Sequence, residues 1–369
     1  MRAVRILIAT TALGAAVSLT IAIPAGAHTT APTKPPTPTV LTTAVGAPFN
    51  LDVRHGAILV ADGGPGQVGP GLVGKVKADG TVKTLVGGVE GASGVALSRN
   101  GKYLAYTHTV GGEAGITDSG VTIDGPRSFT AKADTLAYEK AHNPDGKIQY
   151  GVDNPSQCVT DALTKAGFPV SYTGALDSHA YSLAAYGDGF VLADAGANAL
   201  LRISKSGKIS TLAVFPAQPA KITAEAASTL GLASCVVGVT YKFEAVPTDV
   251  EVGKDGYLYV TTLPGGPEDP SLGARGKVYK VNPWSGKVWP VASGLLGPTN
   301  LAISGGKLYV AEAFAGRISV IKHGRVSEFL PLPGALAIEA GRRGTLYAAT
   351  GIFGPPSIVR INTHEGWRH

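Results

Sequence analysis

A short segment of β-branched and aromatic residues recurs six times, and this repetition constrains the fold more than any other feature of the chain. Each copy ends in a small or polar residue. The copies lie at 58–62, 104–108, 190–194, 258–262, 308–312 and 346–350. A second apolar segment precedes each copy. Glycine-containing turns, such as Asn100-Gly101, join the two segments and predict β-hairpins.

In most modules two more short strands follow, for example at 276–281 and 286–291. Four antiparallel strands per module are typical of a propeller blade. Fifty glycines and a charged fraction of 16% agree with many tight turns between strands. The sequence therefore predicts an all-β fold, a six-bladed β-propeller over residues 40–363. An open β-solenoid or a β-sandwich is the alternative.

The last module lacks a fourth strand, whereas an additional strand at 40–45 precedes the first module and resembles the fourth strands elsewhere. We expect this N-terminal strand to complete the last blade and close the ring. Closure would cover a strand edge that could otherwise pair with another chain.

Two insertions interrupt the repeat, one between the copies at 104–108 and 190–194 and one at 217–244. Segments 131–140 and 161–165 of the first insertion have helix-like composition. The two cysteines, Cys158 and Cys235, lie one in each insertion. In an exported chain such a pair predicts a disulfide, which would join the insertions on one face. Two unpaired buried thiols are the alternative. Neither cysteine has a Cys or His neighbour at metal-ligand spacing.

The N-terminus has the composition of a secretory signal peptide at residues 1–27. Arg2 and Arg5 precede an apolar segment at 6–23, and small residues end at Ala27, after which we expect cleavage. An uncleaved membrane anchor is the alternative. A flexible lead rich in Pro and Thr follows at 28–39, and residues 364–369 form a C-terminal tail. We therefore expect secretion by the general route and no stable membrane insertion after cleavage.

Charge argues against nucleic acid as a partner. Loss of Arg2 and Arg5 with the signal reduces the formal charge from +6 to +4, and the chain has no basic run of the kind that binds phosphates. We expect a monomer whose partner is a small molecule, an extracellular protein or a component of the cell wall.

Several motifs carry a resemblance to a known family. They are Asp134 with Glu139, the Asn-Pro-Asp-Gly segment at 143–146, the segment at 177–182, and the strands at 246–260 and 278–281. With these motifs the chain resembles the ScyD/ScyE family of secreted six-bladed propellers over roughly residues 40–363. More distantly it resembles NHL-repeat, streptogramin lyase and gluconolactonase-like propellers. The resemblance implies a secreted propeller but no agreed reaction and no catalytic residues.

The first strand of each blade lines the central channel, so polar side chains on these strands converge near its axis. Aligning the six strands places the following residues at one position: Asn50, Gly94, Ser182, Asp249, Asn300 and Ala335. Oxygen ligands of this kind suit Ca²⁺ or Mg²⁺, with Asn50, Asp249 and Asn300 as candidate ligands. Hydrogen bonding among these residues and water is the alternative.

His179 and His108 are candidate general bases if they face the channel. A structural role is the alternative for both, and Asp194 and Glu312 are expected to cap turns. The main hypothesis is an extracellular binding or interaction module, with His179 and Ser182 as candidate ligand-binding residues. The alternative is a metal-assisted lactonase or lyase with His179 as its candidate base.

Overall fold

The computed structural model describes residues 35–64, 70–112, 115–267 and 269–363. The predicted signal peptide, residues 28–34 of the lead and the C-terminal tail lie outside this part. Within it the chain forms seven four-stranded antiparallel sheets, and the predicted β-propeller is confirmed. No helix in the described part is long and apolar enough to cross a lipid bilayer.

Six of the sheets are blades in which the strands follow one another from the channel outward. A short strand, β1 (Thr39–Thr42), precedes the first of them. The first blade contains β2 (Pro48–Arg54), β3 (Ala57–Asp62), β4 (Gly71–Val76) and β5 (Val82–Val89). The second contains β6 (Val95–Leu97), β7 (Leu104–Gly112), β8 (Gly115–Gly125) and β9 (Phe129–Asp134). After the first insertion, the third contains β12 (Ala180–Tyr186), β13 (Gly189–Asp194), β14 (Ala199–Ile203) and β15 (Ile209–Val214).

The other three blades follow the second insertion. The fourth contains β18 (Pro247–Val252), β19 (Leu258–Thr262), β20 (Gly276–Val281) and β21 (Val288–Leu295). The fifth contains β22 (Pro298–Ser304), β23 (Lys307–Glu312), β24 (Arg317–Lys322) and β25 (Arg325–Pro331). The sixth contains β26 (Ala335–Ala340), β27 (Thr345–Thr350) and β28 (Ser357–Asn362), with β1 as its outer strand.

The ring is closed as the sequence predicts. Each first strand contacts the first strand of the next blade, and β26 contacts β2. Strand β1 pairs antiparallel with β28, so that Val40 lies opposite Val359. The seam between the sixth and first blades is apolar, with Leu51 and Val60 packed against Ala337 and Ile358. The hydrophobic core thus lies between successive blades, where burial of apolar surface stabilises the fold.

The seventh sheet combines the two insertions. It contains β10 (Gln149–Gly151) and β11 (Ser171–Thr173) from the first insertion, and β16 (Gln218–Lys221) and β17 (Thr240–Phe243) from the second. We call this the insertion sheet. Three helices accompany it, α1 (Thr135–His142), α2 (Gln157–Lys165) and α3 (Ala224–Thr229). One predicted helix begins too early, because residues 131–134 continue β9 and helix α1 starts only after Asp134 caps it.

The predicted disulfide is present between Cys158 and Cys235, whose Cα atoms are 6.4 Å apart. Both insertions connect a fourth strand to the first strand of the next blade. In an antiparallel meander these connections lie at the end of the ring where the first strands begin. We call this the insertion end. The turn between β18 and β19 lies at the opposite end.

Candidate functional site

Polar side chains on three first strands form a hydrogen-bonded chain in the channel. The Asn50 amide nitrogen donates to Ser182 Oγ at 3.2 Å, and Ser182 Oγ donates to Asp249 Oδ1 at 2.5 Å. These residues belong to the first, third and fourth blades and are at most 4% exposed. Gly94 of the second blade has no side chain to separate Asn50 from Ser182. The predicted convergence of Asn50, Ser182 and Asp249 is therefore present.

The oxygens of the predicted metal ligands also accept hydrogen bonds from the main chain of the next blade. Asn50 Oδ1 accepts from the Val95 amide at 3.2 Å, and Asp249 Oδ2 accepts from the Leu301 amide at 2.8 Å. Asn300 Oδ1 accepts from the Ile338 amide at 2.7 Å. These side chains connect neighbouring blades, and a metal at this position would compete with those amides.

The predicted alignment of the sixth blade is shifted by two residues. Ala337 pairs with Ala349 just as Asn300 pairs with Ala311, so Ala337 and not Ala335 occupies the channel position. The sequence alignment could slip by two residues because side chains alternate between the two faces of a strand, so that such a shift leaves the apolar pattern unchanged.

A second layer of channel residues, two positions further along the first strands, was missed by the sequence analysis. It carries the carboxyl groups of Asp52, Glu251 and Glu339. Burial is the main cause that raises the pKa of all three, to about 8 for Glu251. Arg54 opposes the shift at Asp52, since its guanidinium lies 3.5 Å from Asp52 Oδ1. The two-residue spacing from Asn50 and Asp249 would have identified Asp52 and Glu251.

At the insertion end three aromatic rings lie close to the start of the first strands. The rings of Phe49 and Tyr181 meet edge to face with centroids 6.3 Å apart, and the His179 ring meets Tyr181 at 5.4 Å. All three are half-buried. Phe49 and Tyr181 occupy β-bulges, where the pairing register shifts, and a bulge redirects a side chain. We call these residues the aromatic cluster.

The two candidate histidines lie in different blades. Burial lowers the pKa of His179 to about 4, which leaves its ring neutral at pH 7. Its main-chain amide donates to Asp194 Oδ1 at 2.8 Å. His108 Nε2 lies 3.4 Å from Asp118 Oδ2 within the hairpin of the second blade.

Asp194 and Glu312 cap turns as the sequence analysis expects, and Asp62 at the equivalent end of β3, for which no role was predicted, does the same. Asp62 accepts hydrogen bonds from the amides of Gly46, Ala47 and Gly64. Asp194 accepts from the amides of His179 and Ala197 and from Ser178 Oγ, and Glu312 accepts from the Leu296 amide and Arg317. These carboxylates fix turns at the insertion end.

A separate group of acidic side chains lies between the third blade and the insertion sheet. Its members are Glu139, Asp145, Asp177 and Glu244. Burial is the main cause that raises the pKa of each group, to about 8 for Glu139 and about 7 for Glu244. The negative charges of neighbouring acids raise the pKa further in Glu139, Asp145 and Glu244. Glu139, Asp145 and Asp177 belong to motifs quoted above, but the sequence does not show their burial.

Comparison with known proteins supports the fold. No protein-family model matches the chain, and no curated protein sequence matches it significantly. A putative oxidoreductase (glucose dehydrogenase) of Thermus thermophilus is similar in structure, with a TM-score of 0.51 and 16% identity. The match covers 88% of this chain and 99% of that one. The PQQ-bound aldose sugar dehydrogenase of Streptomyces coelicolor has a TM-score of 0.50 and 13% identity over 90% and 99% of the two chains. At these identities the similarity concerns the propeller fold alone.

Proposed function

We propose that the chain is a secreted propeller of the ScyD/ScyE type that acts outside the cytoplasm as a binding module. Its ligand would lie at the insertion end. One observation carries this proposal: the two insertions form a sheet of their own, joined by a disulfide, that the ring does not need for closure. Residues added to one end of a repeat ring commonly form its binding face.

The aromatic cluster supports a small organic molecule as the ligand. Half-buried rings at the channel mouth offer flat apolar surfaces for stacking, and the neutral His179 adds a hydrogen-bonding group. Ser182 lies deeper, 1% exposed, with Asn50 and Asp249 as its partners. A ligand would therefore meet His179 before Ser182.

Saturation-transfer NMR with D-glucose and D-gluconolactone as probes tests this proposal, because sugars stack on aromatic rings. We expect transfer to at least one probe, loss of transfer in Phe49→Ala, and retention in Trp284→Ala. Trp284 is the matched control, since it is 73% exposed and lies at the opposite end. Equal transfer in both variants, or no transfer to either probe, would contradict a small-molecule site at this cluster.

Secretion is tested separately. A full-length chain expressed in a bacterium should accumulate outside the cytoplasm with His28 as its first residue. Accumulation of the unprocessed chain in the cytoplasm or membrane would contradict the proposed secretion.

A metal-assisted lactonase or lyase is the second candidate, because Asn50, Ser182 and Asp249 bring oxygen atoms from three blades together. In this case Asp249, Asn50 and Asn300 hold Ca²⁺ or Mg²⁺, and His179 acts as the base. Purified protein should then hydrolyse or cleave a lactone probe and lose both activity and metal in Asp249→Asn. A variant that keeps its metal content would argue against the channel as the metal site.

A further inference from the structure

Four buried oxygen atoms between α1 and the insertion sheet accept no hydrogen bond from the described residues. They are both carboxylate oxygens of Glu139, the amide oxygen of Asn143 and Oδ1 of Asp145. Glu139 is 1% exposed and Asp145 is 0% exposed. Buried polar atoms are nearly always satisfied by a partner, so four unpaired oxygens in one place require an explanation.

These atoms belong to one small region. Glu139 lies in the last turn of α1 and Asn143 is the C-cap residue of that helix, whose main-chain amide donates to the Glu139 carbonyl at 2.8 Å. The charge of Asp145 acts on Glu139. The Asn143 amide nitrogen donates to the Gly174 carbonyl at 3.1 Å. A Cβ atom at Gly174 would lie 1.9 Å from Asp145 Oδ1. Gly174 thus lies against both Asn143 and Asp145, and a larger residue at this position would collide with the Asp145 carboxylate.

The orientation of Asp145 is fixed by its other oxygen. Oδ2 accepts hydrogen bonds from the Tyr150 hydroxyl and from the Asn198 amide nitrogen, each at 2.9 Å. Donors to one oxygen hold the carboxylate in place and leave Oδ1 directed elsewhere. Ligating carboxylates are commonly fixed by outer hydrogen bonds of this type.

The charged groups that act on Glu139 are all acidic. Asp145, Asp177 and Asp194 all lie close enough to Glu139 for their charges to affect it. Across the described residues, the ion pairs within 4 Å involve other acids: Asp52, Asp118, Asp153, Asp255 and Glu312. A bound cation would satisfy the unpaired oxygens and balance their charge together.

We propose that a calcium ion binds to Glu139, Asn143 and Asp145, beneath the insertion sheet. Carboxylate and amide oxygens are the ligands that Ca²⁺ takes, and Glu139 can bind through both oxygens. The described residues contain no group of three or more His, Cys, Asp or Glu side chains arranged for a metal. The proposed set has two carboxylates and one amide, and water or main-chain carbonyls complete it. Soft metals are disfavoured because the set contains no sulfur or imidazole.

This site is distinct from the candidate metal position in the channel, and it does not depend on the proposed ligand. It would tie α1 to the segment around Gly174 and so stabilise the base of the insertion sheet. The disulfide between Cys158 and Cys235 joins the two insertions to each other, whereas calcium would join α1 to residues 143–145 within the first insertion. Asp145 is in turn hydrogen-bonded to Asn198 of the third blade.

The test compares the wild-type chain with four variants. Glu139→Gln and Asp145→Asn remove one negative charge each and keep the shape of the side chain. Asp249→Asn changes the channel, and Glu225→Gln changes an exposed acid on α3 as the matched control. Metal content is measured by mass spectrometry on protein purified without chelator. Melting is followed at about pH 8 with calcium or with EGTA.

We expect one calcium per chain in the wild type, in Asp249→Asn and in Glu225→Gln, and a melting temperature about 5 °C lower in EGTA. In Glu139→Gln and Asp145→Asn calcium affinity should fall at least about tenfold, and the EGTA effect should shrink. Terbium bound in place of calcium should emit on tyrosine excitation, because Tyr150 contacts Asp145.

Two results would overturn the proposal. The first is a wild-type protein without calcium whose melting is the same in calcium and EGTA. The second is full calcium content in Glu139→Gln and Asp145→Asn with loss in Asp249→Asn, which would place the ion in the channel. If a variant fails to fold, terbium titration of the wild type with calcium as competitor decides whether a site exists.

Discussion

Ser182 Oγ and Asp249 Oδ1 are 2.5 Å apart, and their hydrogen bond joins the first strands of the third and fourth blades. The contact is buried, so its loss cannot be replaced easily by water. The carboxylate has one other polar contact from the next blade, the Leu301 amide. The seam between these blades therefore depends on a hydroxyl at residue 182.

At about pH 8, above the raised pKa of about 7 of Asp249, Ser182→Ala should destabilise the protein by about 1.5–3 kcal/mol, the range for a hydrogen bond to a charged group. Urea unfolding followed by tryptophan fluorescence measures the change. Ser206→Ala, at an exposed turn, is the control and should change stability by less than about 0.5 kcal/mol. Equal stability of both variants would show that the bond does not hold the seam.

Gly94→Ala should be destabilising for a steric reason. A Cβ atom there would lie 2.6 Å from the Tyr181 carbonyl oxygen and 2.9 Å from Thr107 Cγ2. Because the nearest atom is main chain, the blades must separate, and we expect a cost of about 1–3 kcal/mol. Gly354→Ala is the matched control, since a Cβ atom at Gly354 has nothing within 4 Å. Thermal melting of the two variants gives the comparison.

In EGTA the protein should become less stable as the pH rises from about 4 to about 8. Burial raises the pKa of Asp249 to about 7, of Glu251 to about 8, of Glu139 to about 8 and of Glu244 to about 7. A raised folded-state pKa means that the folded chain binds more protons than the unfolded chain in this window. The stabilising contribution is complete below the unfolded pKa and is lost as the pH passes the folded pKa.

His179 acts in the opposite direction, because its pKa is lowered to about 4 and its contribution is lost at acid pH. Four carboxyl groups outweigh one imidazole, so the net slope should be negative. Urea unfolding at a series of pH values measures it, and Glu251→Gln should flatten the slope. Stability that increases up to pH 8 in EGTA would contradict the assigned shifts.

Removal of the disulfide should loosen the insertion sheet before it affects the ring. The bond joins residues 77 positions apart, and a loop of this length predicts a stabilisation of about 4.5 kcal/mol in the chain-entropy model. The ring already restrains both insertions, so the measured loss should be smaller. Limited proteolysis of the Cys158→Ser, Cys235→Ser variant should cut within residues 135–179 or 215–246 first. First cleavage within the blades would show that the ring depends on the bond.

The blades could be predicted from sequence because their strands are adjacent in the chain and repeat with similar turns. The insertion sheet could not. Strands β10 and β11 have three residues each, too short for a periodic pattern, and β10 pairs with β17 through the single Gly151–Lys242 contact. Such pairing between distant segments leaves no local signature.

The candidate sites could be predicted only where their residues follow the repeat, because contacts between distant segments outside the repeat leave no local sequence pattern. The channel residues Asn50, Ser182 and Asp249 lie at equivalent repeat positions, and alignment brought them together. Glu139 and Asp145 are polar residues in an irregular insertion, and only the folded structure reveals their burial. From the sequence alone, such acids are expected to be exposed residues at the end of a helix.

The pairing of β1 with β28 places the first and last described strands in one blade. During synthesis, five blades can form before β28, the strand that pairs with β1, has been made, because β28 follows β1 by more than three hundred residues. Completion of the ring is therefore the last topological event of folding, and it occurs only after nearly the whole chain is available. A ring of this design cannot be finished one blade at a time.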